Sequence, residues 1–397
     1  MNCRAAATVV SLLVTQVASA AVGQTALALP DRLTDHEFWQ FSVDMSEPGG
    51  YFRSDNFLSN ETGFQYVIPE LLRTTKPGGV YLGVGPEQNF TYIAALHPRL
   101  AVIFDIRRGN LHEQLLYKAL FELSADRADF LARLFSRPRP RGLDANTSVD
   151  SLFRAFTAVP PDSVMYLRGV ATIRFHLINQ HGFDLSDDDI GGLRYVYDAF
   201  FNGGPTINYR FAPAGAPAGS GTFGPSGYRG MPTYTDLMVQ QDGNAVQRSY
   251  LATEANFRVV KDLETRNLVI PVVGNFAGPK AIRAVGQYLR DHGATVTAFY
   301  ASNVEQYLFR QNDDWNKYYE NVAMLPLDST STFIRSIGAG FRGGPPGTTV
   351  PPITYTAPAP SGPFMRLPSV LCSMQGLIEA YRAGKIIGYY DVIGMSH

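Results

Sequence analysis

The chain is poor in charge. Asp, Glu, Lys and Arg make up 17% of its 397 residues, and the formal net charge is −1. Without a basic surplus it lacks the electrostatic footprint of a nucleic-acid binder, so no nucleic-acid partner is expected. Without an acidic surplus, and with 45% hydrophobic residues, it can bury a core. Cysteine is scarce too. Cys3 and Cys372 cannot build a disulfide framework, and Cys372, set among apolar residues, reads as a small buried hydrophobe. The seven histidines are scattered without metal-ligand spacing, so no metal is expected. There is no G-x-S-x-G turn, no H-E-x-x-H helix and no paired-cysteine site, which leaves a hydrolase or metalloenzyme unsupported. No long apolar run exists that would make a stable membrane span.

The N-terminus has the three parts of an export signal over residues 1–20: Arg4, the small apolar run Ala5 to Val17, and Ala18-Ser19-Ala20. The expectation is a periplasmic or secreted protein, or a cytoplasmic one if the segment is not cleaved. The plain alternatives are a misplaced start codon or a disordered tail.

What the chain does have is alternation of short apolar runs and helical patterns. Apolar runs at Gly79 to Leu82, Leu100 to Phe104 and Leu268 to Val273 read as strands, as do Thr295 to Tyr300 and Ser331 to Ile337. Helices are expected at Glu61 to Leu72, Gln88 to Leu96, Leu111 to Leu123, Ala125 to Phe135, Glu254 to Leu263, Pro279 to Asp291, Val304 to Phe309 and Asp313 to Met324. Pro368 to Ala383 is a further expected helix, Ile386 to Val392 a last strand, and Asp242-Gly243-Asn244 a hairpin turn. Residues 148–250 read as a helical and Gly/Pro-rich insertion. Loops rich in Gly and Pro fill Asn202 to Pro232 and Gly338 to Pro363. The expected fold is α/β: a doubly wound, mostly parallel, Rossmann-like sheet over residues 21–397.

Ligands in such sheets bind outside the carboxyl ends of the strands. Four strand-end turns should therefore face one crevice. Gly83 and Gly85 allow close backbone approach, or simply make a tight turn. Glu87 binds ligand or caps the next helix. Asp105, 20 residues after Gly85, holds a ribose or caps a turn. Arg107 and Arg108 meet a phosphate or carboxylate, or lie exposed. Asn275 contacts a substrate polar group or serves its own turn. Asn303 is a site residue or part of a helix N-terminus, and Ser302 with Glu305 fits a capping box. Ser54, Asp55, Asn56 and Glu61 form a lid over the first turn or cap a helix.

The Gly83-Val84-Gly85 turn with Asp105 downstream resembles the cofactor site of class I S-adenosylmethionine-dependent methyltransferases, although Tyr81 and Glu87 stand where that family favours an acid and a third glycine. The stretches YLGVGPEQNFTYIAAL, FDIRRGN, LYKALFELSADRADFL, VVGNFAGPKAIRA and FYASNVEQYLF resemble a family of uncharacterised bacterial proteins with a methyltransferase-like Rossmann domain. The resemblance implies a small-molecule ligand, S-adenosylmethionine or a related nucleoside, at Gly83, Gly85, Glu87, Asp105 and Arg107. It places an unknown methyl acceptor near Asn275 and Asn303. The alternative is an exported, non-enzymatic ligand-binding or structural protein that keeps the fold. The oligomeric state is not encoded in any of these patterns.

Overall fold

Proline and glycine punctuate a chain whose strands are nearly all apolar, and the sheet follows from that. In a computed structural model, described over residues 27–209, 211, 231–337 and 368–397, six strands form one sheet. They are β1 (Val80–Val84), β2 (Leu100–Asp105), β3 (Val269–Val273), β4 (Val296–Ser302), β5 (Thr332–Ser336) and β6 (Ser369–Ser373). The order is β3-β2-β1-β4-β5-β6, parallel throughout except that β6 runs antiparallel to β5. This α/β arrangement is compatible with a Rossmann-like fold. Every residue of β1, β2, β3 and β5 is buried, as expected of parallel strands covered on both faces.

Fifteen helices are present among the described residues. Around the sheet's first half lie α1 (Asp35–Met45), α2 (Ile68–Thr74), α3 (Gln88–Leu96), α4 (Arg108–Leu123) and α5 (Arg127–Leu134). Between β2 and β3 the chain inserts α6 (Val149–Thr157), α7 (Ser163–Phe175), α8 (Asp187–Gly203), α9 (Tyr234–Met238) and α10 (Glu254–Thr265). A π turn, His176–Gln180, continues α7. The second half adds α11 (Ala281–Asp291), α12 (Val304–Leu308), α13 (Asp314–Val322), α14 (Met374–Arg382) and α15 (Tyr389–Gly394). The inserted helices share one hydrophobic core with the sheet, through residues such as Phe153, Phe156, Val196 and Phe200. Asp189 of α8 docks on α4, accepting from Arg108 Nε at 2.6 Å and lying 2.8 Å from His112 Nε2.

Both sheet edges are covered. Pro271 cannot donate to a ladder, which suits β3 to an edge. The outer side of β3 is satisfied by the end of α1: Ser42 Oγ donates to Pro271 O at 2.6 Å, and Glu47 N to Val273 O at 2.8 Å. At the other edge, Leu371 and His397 exchange backbone hydrogen bonds of 2.9 Å.

Several expected elements are corrected. Pro368 to Ala383 is not one helix: Ser369–Ser373 is strand β6, and α14 starts only after Ser373, whose side chain caps it by accepting from Gly376 N at 3.1 Å. The three apolar residues Val370, Leu371 and Cys372 fit either period, and pairing with β5 decides. The expected last strand, Ile386 to Val392, is instead occupied by helix α15. Asp242 nucleates a loop, accepting from Asn244 N and Val246 N, with no strands beside it. Glu61 precedes its helix rather than opening it. The expected export signal and the loop from Gly338 to Pro363 lie outside the described residues, as does most of the first Gly/Pro loop.

Candidate functional site

The chain lays down β1, β2 and β3 in one direction, then returns past β1 to place β4 on its other side. The carboxyl ends of β1 and β4 thus flank the point where the order reverses, where open α/β sheets hold ligands.

The β1 turn is built by its own side chains. Gly85 has φ +77°, a left-handed conformation that costs a side-chain-bearing residue about 1–2 kcal/mol. Gly83 is glycine for a different reason: a Cβ there would sit 1.9 Å from Asn89 Oδ1. Asn89 clamps the turn, donating to Val84 O at 3.0 Å and Pro86 O at 2.7 Å while accepting from Tyr81 OH at 2.8 Å. Gln114 of α4 donates to Gly85 O at 3.0 Å. The two glycines are therefore required by the turn itself.

Three glutamates are buried around this turn: Glu61, Glu87 and Glu113. Glu61 lies across the β1 and β4 ends, with Tyr300 OH donating to Oε1 at 2.7 Å, Gln88 Nε2 to Oε2 at 3.1 Å, and Ser302 Oγ also to Oε1. Burial raises its pKa above the ordinary carboxyl value despite these donors. Ser302 holds φ +49°, an uncommon conformation for a non-glycine residue and one that recurs where structure serves a site.

Glu87 is different. It is fully buried, and neither carboxylate oxygen has a hydrogen-bond partner. Burial pushes its carboxyl up to about 8; the backbone amides of Glu87 and Ser59 offset this partly but stop short of hydrogen-bond geometry. Glu113 is driven well above the carboxyl range by burial and by the neighbouring Glu87. Further buried oxygens without partners belong to Asn56, Asn110 and Gln114. Most of these unpartnered atoms are acceptors, with the buried Tyr117 hydroxyl as a nearby unpartnered donor. A buried ionised carboxylate costs several kcal/mol unless it meets a cation or donors, so these groups hold protons or face a ligand that donates.

Asp105 ends β2, and Arg107 occupies both of its oxygens: Nε reaches Oδ1 at 3.1 Å and Nη2 reaches Oδ2 at 2.8 Å. Arg107 also donates to Asp55 O, fastening the 54–61 segment over the first turn. Tyr195 OH donates to Asp55 Oδ2 at 2.9 Å, fixing the same segment from α8. Arg107 is thus engaged internally, and Arg108 is paired with Asp189. Asn303 precedes α12 beside the crevice, with Ser302 Oγ 3.5 Å from its Oδ1. Asn275 stands apart, after edge strand β3, where its side chain accepts from Ala277 N at 3.0 Å in a local turn anchored by Glu47.

The expected capping box at Ser302 does not form. Ser302 turns to Glu61, and Glu305 pairs with Arg335 of β5 and accepts from Tyr319 OH at 2.7 Å. Sequence reasoning reached Glu61 only as part of a capping-rich segment and passed over Glu113. Helix α4 carries polar residues on most of its turns, among them His112, Gln114 and Lys118, so no local signal marks Glu113 as buried.

Among the described residues, no helix is long and apolar enough to cross a membrane. No curated protein matches the chain. The family described as "Domain of unknown function (DUF7790)" matches residues 56–140 and 226–354, a span that holds β1 through β5 and omits α6, α7 and α8. With more than half of its length matched, the chain belongs to this family of unknown function.

Proposed function

We propose that the crevice at the β1 and β2 ends binds S-adenosylmethionine or a related nucleoside in a Rossmann-like domain, and that the protein transfers the methyl group to a small acceptor. The observation that carries this reading is Glu87: a fully buried carboxyl at the β1 turn with no hydrogen-bond partner, next to Glu113. S-adenosylmethionine brings what this region lacks. Its ammonium donates to Glu87, and its two ribose hydroxyls and adenine amino group donate to the side-chain oxygens of Asn56, Asn110 and Gln114. The new bond joins the methyl carbon to the acceptor's nucleophile as the carbon–sulfur bond breaks and its electron pair stays on sulfur. Such transfer rests mainly on alignment and a dry pocket.

A second reading, an exported ligand-binding protein without catalysis, is favoured by Asp105. Arg107 holds both its oxygens, so the carboxylate expected to hold a ribose is already engaged. Calorimetry with S-adenosylmethionine and S-adenosylhomocysteine at pH 5.5 and 7.5, where the ligand's ammonium keeps its proton, tests the first reading. Binding of an ammonium requires ionised Glu87, so affinity should rise at the higher pH, and Glu87→Gln should abolish the rise. If neither adenosyl compound binds at either pH, the nucleoside reading is lost. Binding without methyl transfer to any acceptor favours the second.

A further inference from the structure

At the far end of α4, roughly 20 Å along the helix from the crevice, three elements remote in sequence converge. Glu122 is in the last turn of α4, His176 and His181 bracket the π turn after α7, and Asp35 opens α1. In an α-helix, residues five apart lie about 140° apart around the axis. Here His181 N donates to His176 O at 3.0 Å, the five-residue spacing of a π turn, and the two imidazoles share one face.

Their Nε2 atoms are 3.2 Å apart and lie 2.6 and 2.7 Å from the same oxygen, Glu122 Oε2. The other polar atoms of these groups are engaged outward. His181 Nδ1 lies 2.8 Å from Asp35 Oδ1, which fixes a proton on Nδ1. His176 Nδ1 faces Gln180 Oε1, and Glu122 Oε1 accepts from Lys118 Nζ at 2.8 Å. The His181 ring is stacked on Phe183, which itself stacks on Phe38 and Trp39, so packing sets its orientation. With the Nδ1 protons directed outward, neutral rings turn three lone-pair atoms toward one another, and either a second proton on a ring or a cation must stand between them.

We propose that Glu122, His176 and His181 bind a divalent transition-metal ion of the zinc class, with Asp35 and Gln180 holding the two rings in the required tautomer. A tetrahedral ion with bonds of about 2.0–2.1 Å sets its ligand atoms about 3.3 Å apart. The imidazole pair already stands at 3.2 Å, and Glu122 needs to withdraw by about 0.6 Å. Two imidazoles and one carboxylate suit zinc better than calcium or magnesium, which prefer oxygen. A carboxylate behind a ligating histidine is the usual outer partner of such ions. The side chains of His176, His181 and Glu122 are 14, 12 and 8% exposed, so solvent reaches the site and water can fill the fourth position. Glu122 lies inside the family match, whereas both histidines lie in the omitted residues 141–225. The ion therefore ties the inserted helices to the shared core.

The test is titration of the full chain, stripped with EDTA, by zinc chloride and cobalt chloride. One zinc per chain by calorimetry is expected, together with a four-coordinate cobalt absorption spectrum that zinc bleaches. His176→Gln and His181→Gln, checked for folding by circular dichroism, should each weaken zinc by roughly 100-fold or more, and Asp35→Ala by about 10- to 100-fold. Uptake of no ion by the wild-type chain, or unchanged affinity in folded variants, overturns the proposal. If both histidine variants unfold, Asp35→Ala decides: weakened binding supports the site and unchanged binding overturns it.

Discussion

Two buried acidic regions sit at neighbouring strand ends and are treated in opposite ways. At the β4–β5 ends, Glu305 is met by the Arg335 guanidinium, whose Nη2 lies 3.1 Å from Oε1, and by Tyr319 OH. Arg335 also packs over the Phe333 ring. At the β1–β2 ends, Glu87 and Glu113 are equally buried, but the nearby Arg107 is directed to Asp105 and Asp55 instead. In the first arrangement the acid is met within the fold, although Arg335 Nη1 is left buried without a partner. The second leaves carboxyl groups that either keep their protons or take a donor from outside. Burial alone does not separate a structural acid from a site acid; whether a cation is dedicated to it does.

The comparison can be broken most sharply at its satisfied end. Arg335→Met leaves Glu305 buried without its cation and should cost about 3–5 kcal/mol in urea unfolding, with most of the loss restored by adding Glu305→Gln. An unchanged urea midpoint would show that the pair does not hold this half of the sheet. At the unsatisfied end the effect should appear as a pH slope. The native Glu87 carboxyl titrates near 8 rather than at its ordinary 4.5, so between these values the native state binds a proton that the unfolded chain has released. Stability contributed by that proton is present below pH 4.5 and lost as pH rises through about 8. Glu87→Gln should flatten this slope and exceed the wild type at pH 9 by on the order of a few kcal/mol, measured by denaturant unfolding across pH. A wild-type slope identical to that of Glu87→Gln would mean that Glu87 is compensated after all. The smallest effect is expected between the two regions. Ser302→Ala removes one donor to Glu61 and should cost about 1 kcal/mol by urea unfolding, since Tyr300 and Gln88 remain. A loss several times larger would make Ser302 the main anchor of Glu61.

Much of the sheet was legible. Short apolar runs bounded by Gly, Pro and Asp mark β1, β2 and β3, because a strand buried on both faces is mostly apolar along its length; β5 keeps Arg335 buried by pairing it with Glu305. The glycines marking the β1 turn were legible as well, although Gly83 proved to make room for Asn89. Strand β6 is not legible, because its short apolar stretch fits the helical period of the residues that follow as well as that of a strand. The site was less legible. Asp105 was in view, but Arg107 two residues later was read as a possible anion contact, whereas it closes on Asp105 itself.

What the sequence by itself determined is local: where strands stop, where the backbone must turn left-handed at Gly85, and where helices begin. Each depends on sterics and hydrogen bonding within a few residues. The tertiary structure alone decided which acids are stripped of water and which polar groups meet. Glu61 reaches the β4 end, Glu113 is buried beside Glu87, and Glu122 meets His176 and His181 only because α4 and the π turn pack together. Proton affinity and metal affinity depend on desolvation and on neighbours distant along the chain, and no local pattern of residues carries that information.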